Sequence, residues 1–384
     1  MNFKLSEYQN LITSLLLNGH FIQNIGLMHG KTGLALLFYQ LAKQTGNTAF
    51  ETFAGELVDE IVPVLSARQP VDFENGLAGI GWGMEYLVQN GFLEADTDEV
   101  LEDFDKQIFK KFLENPPANI GLLSGVLGTG YYFLMRIKGA KQKPKNIITE
   151  TNRIAIQHIC NHLALMLQQP GDTIKEPFKN NTPETINKIK KQDTGPVPVF
   201  EITWNLPTLI GFLTEVLELN VQQSEVIKML TKLFTPSCPA LRSPVLQNNR
   251  LLMLYSLIRL KNTLVVIPHS GRNEISILVN QTIEKTVSGL DNEKYIKELG
   301  SLNFSTRNGI PGIALIHQKL YEQTGDLKYK NEYTSLLNRF VPQDLINGFR
   351  YDYSNPLQTN EQSLGLLQGI SGLLLTAVEL EIQP

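Results

Sequence analysis

Cysteine is almost absent from this sequence, since only Cys160 and Cys238 occur among 384 residues. Two thiols in so long a chain exclude a disulfide-stabilised scaffold, because such scaffolds place several cysteine pairs in a short chain. The cysteine content is typical of a reducing compartment, and we therefore expect a cytoplasmic protein.

An excess of charge of one sign is also lacking. The chain has 34 basic and 38 acidic residues, and its net charge at pH 7 is −4. Binding to a phosphate backbone or to anionic lipid needs a basic surface, which this balance does not favour. We expect no nucleic-acid partner.

Long hydrophobic runs are missing as well. The most apolar stretch, Ile120 to Met135, is interrupted by four glycines and is shorter than a helix that crosses a bilayer. No apolar core followed by a small-residue cleavage site stands at the start of the chain, so we predict no secretory signal and no membrane insertion.

What the sequence does contain is a repeated pair of glycines, spaced three residues apart and followed at once by an apolar run of helical period. Such self-similarity is typical of repeat architectures. The five pairs are Gly30/Gly33, Gly76/Gly79, Gly125/Gly128, Gly309/Gly312 and Gly369/Gly372.

Each repeat predicts two helices. After the first glycine pair an apolar helical stripe runs to Gly46, where a left-handed cap is least costly. Thr48 with Glu51 then resembles a capping box that starts the second helix, which Pro63 ends. The tripeptide Gln-Thr-Gly that ends at Gly46 recurs at Gly325, which indicates duplication.

The spacing leaves room for two more units, at Trp204 to Leu219 and at Gln247 to Leu260. The predicted fold is therefore all-α, an α/α toroid of about seven helical hairpins in a single domain over 1–384. A surface excursion is expected at about 169–198, which lacks an apolar period. A second loop is expected from Leu260 to Arg272, with Asn262 to Pro268 the only strand-like run.

The glycine pairs have two explanations. Glycine lets neighbouring backbones approach closely and lets the turn before the helix adopt positive φ. The same place is a helix N-terminus, whose free N–H groups and partial positive charge suit anions or amides. For each single glycine we favour packing.

The chain resembles the lanthionine synthetase C-like family through three motifs: GLAGIGW from Gly76, NGIPGIA from Asn308 and GLLQGISGLLL from Gly365. The resemblance spans nearly the whole chain. It implies a seven-fold helical toroid around an active site, and a chemistry that joins cysteine thiols to dehydrated serine or threonine of a peptide. In the family, a zinc ion bound by two cysteines and a histidine activates the thiol.

The resemblance also places the zinc ligands, and this sequence departs from them. Arg307 and Asn308 stand where the family has adjacent Cys and His, and Trp204 and Asn205 stand where a histidine often precedes the glycine. The segment Gln247 to Asn249 stands where a further cysteine is expected. These side chains supply no thiolate or imidazole, so we predict no metal and no other cofactor.

Candidate site residues stand next to the glycine pairs. His29 is the best acid/base candidate among the histidines. Glu74 with Asn75, and Arg307 with Asn308, place opposite charges near the same rim, and either a bound peptide or a bridge between units explains them. Polar and aromatic candidates for peptide binding complete the set: Trp204, Asn205, Tyr351 and Asp352.

One further constellation has a simpler explanation. His158 and His162 are four residues apart on a predicted helix, with Cys160 between them. Two histidines at this spacing can chelate a metal, but no third ligand is visible, and we favour a structural role.

Three functions remain open. The first is a peptide-modification protein, either a metal-free cyclase in which His29 forms the thiolate or a module that binds a precursor peptide for partner modification enzymes. The second is a carbohydrate-active toroid enzyme, which would need paired carboxylates such as Asp72, Glu74 and Asp352. The third is a non-catalytic scaffold. Whether the chain is an enzyme is left open.

Overall fold

The computed structural model describes residues 8–65, 69–140, 147–168, 205–235, 247–268, 271–291, 306, 309–337, 364–367 and 369–381. Within these ranges the chain forms fifteen α-helices and two short 3₁₀ helices, and no strand is found there. Among the same residues, no helix has both the length and the apolarity that a membrane crossing requires. The predicted excursion at 169–198 lies outside the described residues.

The helices follow the predicted pairing. The first helix of each unit is α2 Lys31–Thr45, α4 Leu77–Gln89, α7 Val126–Ala140, α9 Leu206–Glu218, α11 Gln247–Val266, α13 Ile310–Thr324 or α15 Ile370–Glu381. The second helices that follow are α3 Thr48–Ile61, α6 Glu102–Glu114, α8 Ile147–Gln168, α10 Gln223–Phe234, α12 Arg272–Ser288 and α14 Leu327–Leu337. Helix α1 Gln9–Asn18 precedes them, and the short α5 Thr97–Val100 precedes α6.

The chain divides into two compact units. The first contains Met1–Lys111, Ser301–Tyr321 and Asp326–Pro384, and the second contains Phe112–Gly300 and Glu322–Gly325. A single domain over 1–384 stays a prediction.

In the first unit, α2 is the central helix and packs against α3, α4 and α15. Residues 31–41 of α2 are all buried, whereas its last four residues are not. The Phe38 ring meets the Phe53 ring of α3 edge-on at a centroid distance of 4.6 Å, a favoured aromatic geometry. Burial of α2 on several sides fixes the position of the loop that precedes it.

The second unit consists of two layers of helices. The first helices α7, α9 and α11 pack side by side, as do the second helices α8, α10 and α12. A partly buried ionic network joins the first layer: Glu215 lies 2.6 Å from Lys138 Nζ and 3.3 Å from Arg259 Nη1. Burial lowers the pKa of Arg259, but the groups around it, Glu215 foremost, together raise it. Arg259 therefore stays charged beside Glu215, as a partly buried ion pair requires.

The duplicated tripeptide adopts one structure twice. Gly46 and Gly325 each have φ of 68°, the left-handed conformation that was predicted for the end of the helix. The helix that follows each glycine begins in the same way. Asn47 Oδ1 accepts a hydrogen bond from Ala49 N, and Asp326 Oδ1 accepts one from Lys328 N, both over 3.0 Å. The sequence repeat thus encodes a repeated helix–turn–helix connection.

Two local predictions were wrong. Asn47, rather than Thr48, caps α3, because its side-chain oxygen reaches the first turn while Thr48 is already helical. The loop expected from Leu260 and the strand-like run expected from Asn262 are helical as far as Val266, where α11 ends. Leu264 is buried there, and Thr263 Oγ1 donates to Glu218 of α9 over 2.8 Å. These contacts outweigh the β-branched composition.

Candidate functional site

The loops before the first helices fold back over the helix starts. We call them start loop 1 (24–30), start loop 2 (70–76), start loop 3 (119–125) and start loop 7 (364–367, as far as described). In start loop 1, Lys31 N donates to Asn24 O over 2.9 Å and Thr32 N donates to Ile25 O over 3.4 Å. The first-turn N–H groups are therefore bonded to the chain itself.

Start loops 2 and 3 repeat this arrangement. Leu77 N donates to Pro70 O over 2.8 Å, and Val126 N donates to Asn119 O over 3.0 Å. The expectation of free N–H groups at the helix starts was wrong for these three loops, because the loop carbonyls satisfy the groups that a helix N-terminus leaves open. Any ligand here must be recognised mainly by side chains.

The glycine pairs make this folding-back possible. A Cβ atom on Gly30 would lie 2.5 Å from Asn24 O, and one on Gly33 would lie 2.1 Å from Leu27 O. The φ of Gly30 is −130° and that of Gly76 is −102°, so these turns do not need a left-handed residue. Close backbone approach is therefore the reason for the glycines, and the expected positive φ was wrong.

Start loops 1 and 2 are fastened together by three contacts. Met28 N donates to the carbonyl oxygen of Glu74 over 2.9 Å, and Asn24 Nδ2 donates to Asn75 Oδ1 over 2.9 Å. The third contact joins two functional groups: His29 Nε2 lies 3.0 Å from Glu74 Oε1. Of the predicted site residues, the structure thus brings His29, Glu74 and Asn75 into one cluster.

Start loop 7 completes the cluster. Leu366 N donates to Met28 O over 2.8 Å, so loops from three repeats meet in one place. A Cβ atom on Gly365 would lie 2.4 Å from Met28 O and 2.9 Å from His29 Nδ1. Only glycine fits at this position without a shift of the backbone or of the imidazole.

The two members of the His29–Glu74 pair differ in exposure. The His29 side chain is 9% exposed, whereas that of Glu74 is 32% exposed. His29 Nδ1 is buried and has no hydrogen-bond partner in the described part of the chain. The carboxylate is therefore the member that a molecule in solvent can reach.

The cation nearest to the cluster in sequence is held elsewhere. Lys31 is 8% exposed, and its ammonium group bonds the Glu60 carboxylate of α3. Glu60 also lies 2.6 Å from His20 Nδ1. Burial raises the pKa of Glu60, but the hydrogen bonds from Lys31 and His20 lower it below the usual value. Lys31 thus joins α2 to α3, and its ammonium group does not neutralise the Glu74 carboxylate.

Of the remaining predicted residues, one belongs to the second unit and the others lie outside the described part. Asn205 stands directly before α9 in the second unit, where its amide is 3.7 Å from the position of a Cβ on Gly121 of start loop 3. Five predicted site residues lie outside the described residues: Trp204, Arg307, Asn308, Tyr351 and Asp352.

Sequence reasoning missed Asn24. Its side-chain oxygen accepts from Gly26 N over 2.7 Å while its amide bonds Asn75, so it shapes start loop 1 and ties it to start loop 2. A signal was present: Asn-Ile-Gly occurs at 24–26 and at 119–121, each six residues before the first glycine of a pair. Asn119 Oδ1 likewise accepts from Gly121 N, over 2.9 Å.

The described residues do not fit the zinc ion that the family resemblance implies. Gln247 is buried and its Oε1 accepts from Asp291 N over 3.0 Å, and the Asn248 oxygen accepts from Asn249 N over 2.7 Å. These amides are engaged, and amides are poor zinc ligands. Across the described ranges, no group of three His, Cys, Asp or Glu residues could hold a metal ion. The prediction of no zinc stays a prediction, since Arg307 and Asn308 are not described.

Of the histidine pair on α8, His158 is exposed and His162 has the surroundings of a structural residue. Cys160 is fully buried, and burial raises the pKa of its thiol to about 12. His162 meets the Phe112 ring edge-on at a centroid distance of 5.7 Å.

Comparison with known proteins agrees with this architecture. The solved structure of nisin cyclase matches with a TM-score of 0.64 and 12% sequence identity, covering 98% of this chain and 95% of that one. No curated protein matches the sequence. The fold is therefore the all-helical α/α toroid class that the repeat predicted.

Residues 22–188 match the family model of the lanthionine synthetase C-like proteins. This stretch contains start loops 1, 2 and 3 and the whole His29–Glu74 pair. This part of the chain is therefore similar to the lanthionine synthetase C-like proteins.

Proposed function

We propose that this chain is a peptide-modification protein that binds a precursor peptide at start loops 1, 2 and 7 and acts in thioether cyclisation-type chemistry without zinc. The observation that carries the proposal is the His29–Glu74 pair, placed where the start loops of three repeats meet. The match of residues 22–188 to the lanthionine synthetase C-like model supports the class of substrate, and the structurally similar protein is named a cyclase.

Thioether formation requires two proton transfers. A cysteine thiol is mostly protonated at neutral pH, so its addition to a dehydrated residue needs a group that takes the proton. The enolate that addition forms then needs a proton back. For this chemistry the described residues supply the His29–Glu74 pair, and its exposed carboxylate is the group that a bound peptide can reach.

The carbohydrate alternative has less support. A sugar hydrolase needs two free carboxylates across its site, but Asp72 Oδ1 accepts from Asn75 N over 2.8 Å and Glu74 is paired with His29. The third carboxylate of that alternative, Asp352, lies outside the described residues.

A thiol count tests the proposal. The purified protein is incubated with a synthetic peptide that contains one dehydroalanine and one cysteine, and N-ethylmaleimide then labels the remaining thiols for mass spectrometry. We expect the labelled fraction to fall faster with the protein than without it, and to fall at the uncatalysed rate with the Glu74→Gln variant.

Two other outcomes separate the alternatives. Peptide binding without loss of thiol assigns a binding module that serves partner modification enzymes. Stoichiometric zinc in the purified protein, measured by elemental analysis, contradicts the zinc-free part of the proposal.

A further inference from the structure

The two ring nitrogens of His29 are in different surroundings. Nε2 lies 3.0 Å from Glu74 Oε1. Nδ1 is buried beneath Gly365, and no described residue offers it a hydrogen bond. The whole residue is only 7% exposed, so its environment determines where a proton can stand.

This environment selects one tautomer. A neutral imidazole carries one N–H and one lone pair. With the proton on Nε2, His29 donates a charge-assisted hydrogen bond to Glu74. With the proton on Nδ1, a buried N–H would lack an acceptor, and the Nε2 lone pair would face a carboxylate oxygen. The proton therefore belongs on Nε2, where it is already engaged.

The consequence for the site is that a base is missing from the accessible face of His29. Its lone pair is on Nδ1, which solvent does not reach. Glu74, in contrast, is 32% exposed, and among the described residues His29 is the single bonded partner of its carboxylate. The second oxygen of Glu74 is thus an oriented acceptor.

We infer that His29 is a positioning residue that holds Glu74, and that the free oxygen of Glu74 binds a cationic side chain of the peptide. This inference rests on the peptide-binding part of the proposed function, and it assigns the pair to holding the peptide rather than to moving the proton. A cation is the favoured ligand because the carboxylate of Asp72 lies in the same loop, and because the neighbouring ammonium group of Lys31 is bonded to Glu60. In the described part of the chain no lysine or arginine bonds the Glu74 carboxylate, and an oriented carboxylate in that state favours a positively charged group.

The first experiment measures the tautomer and needs no ligand. Protein with ¹⁵N-labelled histidine is examined by NMR at neutral pH, and the His29 signals are assigned by their loss in His29→Gln. We expect a protonated Nε2 and an unprotonated Nδ1. A proton on Nδ1, or averaged signals of two exchanging tautomers, would overturn the positioning role.

The second experiment measures the charge preference. The probes are two fluorescein-labelled, N-acetylated heptapeptides of glycine and serine, one with a central lysine and one with norleucine, and binding is followed by fluorescence anisotropy. We expect the lysine peptide to bind about fivefold more tightly, the order of a partly exposed charge-assisted contact. The ratio should fall to about one in Glu74→Gln.

Control variants separate positioning from folding. His29→Ala should lower the binding ratio of the two peptides to a value between that of the parent and that of Glu74→Gln. His29→Gln, whose amide can donate to Glu74, should restore most of the parent ratio. Glu99→Gln, which removes an exposed carboxylate on α5 of the same unit, should leave the ratio unchanged.

The outcomes distinguish this inference from the proposed function. Equal binding of both peptides by the parent protein overturns the inference and leaves peptide binding intact. If neither peptide binds, the proposed cationic ligand is wrong, and the proposed function is contradicted as well. The tautomer measurement then decides the positioning role of His29 alone.

Discussion

The amide of Asn24 donates to Asn75 Oδ1 over 2.9 Å, while the oxygen of the same amide accepts from Gly26 N over 2.7 Å. One side chain thus shapes its own loop and ties that loop to the start loop of the next repeat. The backbone bond from Met28 N to Glu74 O lies beside this link. The Asn24–Asn75 bond and the Met28–Glu74 bond together hold start loops 1 and 2 against each other.

Asn24→Ala should lower the free energy of unfolding by about 1–3 kcal/mol, because it leaves Gly26 N and Asn75 Oδ1 without their partners. Urea unfolding measures the change. Gln23→Ala is the control: its amide bonds Phe21 O in an exposed position, and we expect a change below about 0.5 kcal/mol. Equal effects of the two variants would show that the Asn24 link contributes little.

Gly33→Ala should destabilise the fold by about 2–4 kcal/mol, since its Cβ would lie 2.1 Å from Leu27 O and neither backbone can yield freely. Gly55→Ala is the matched change within α3, where the nearest atom to a Cβ is the Tyr39 hydroxyl at 3.7 Å. That variant should be more stable than the parent by up to about 1 kcal/mol, because alanine favours the helix. Thermal unfolding of both variants gives the comparison, and a Gly33→Ala variant as stable as the parent would contradict the packing role of the glycine pairs.

His317 should make the fold sensitive to mild acid. The residue is 1% exposed, and burial lowers the pKa of its imidazole to about 4 in the folded state, against about 6.5 in an unfolded chain. The unfolded state therefore binds the extra proton first. Its contribution to stability is complete above pH 6.5 and is lost as the pH falls towards 4.

Urea unfolding of the parent and of His317→Gln across this pH range tests the effect. The variant should lose less stability than the parent between pH 6.5 and 4. His158→Gln, which changes an exposed histidine of α8, should follow the parent, and a His317→Gln curve parallel to the parent curve would contradict the prediction.

Cys160 should be unreactive in the folded protein. Burial raises the pKa of its thiol to about 12, and only a thiolate reacts readily with disulfide reagents. In Cys238→Ser, where Cys160 is the only thiol, we expect no colour with Ellman's reagent until guanidinium is added. Rapid reaction without denaturant would show that α8 opens.

The fold could be predicted from the sequence because its signals are local. Glycine pairs, apolar stripes and the recurring Gln-Thr-Gly determine helix starts and ends within a few residues, and Gly46 and Gly325 have the same φ as a result. The failures also had local causes. The predicted cap of α3, Thr48, is one residue too late because Asn47 is the better cap. The predicted end of α11 is too early because its last turn makes tertiary contacts that the sequence does not show.

The site was less predictable than the fold. His29, Glu74 and Asn75 could be chosen because they stand next to glycine pairs, and they do meet. Their individual roles depend on what covers each atom, and the covering residue of His29 is Gly365, distant in sequence. No periodicity in the chain relates an imidazole nitrogen to a glycine in the last repeat.

The carbonyl groups that close the helix starts have one more consequence. Because first-turn amides of these helices bond to carbonyl groups of start loops 1, 2 and 3, a change of a side chain that makes no bond to the loop backbone leaves these amides satisfied. Relatives with this frame can therefore exchange such residues and acquire new ligands while the scaffold keeps its stability. Such side chains can vary without loss of the hydrogen bonds that hold the starts of the helices.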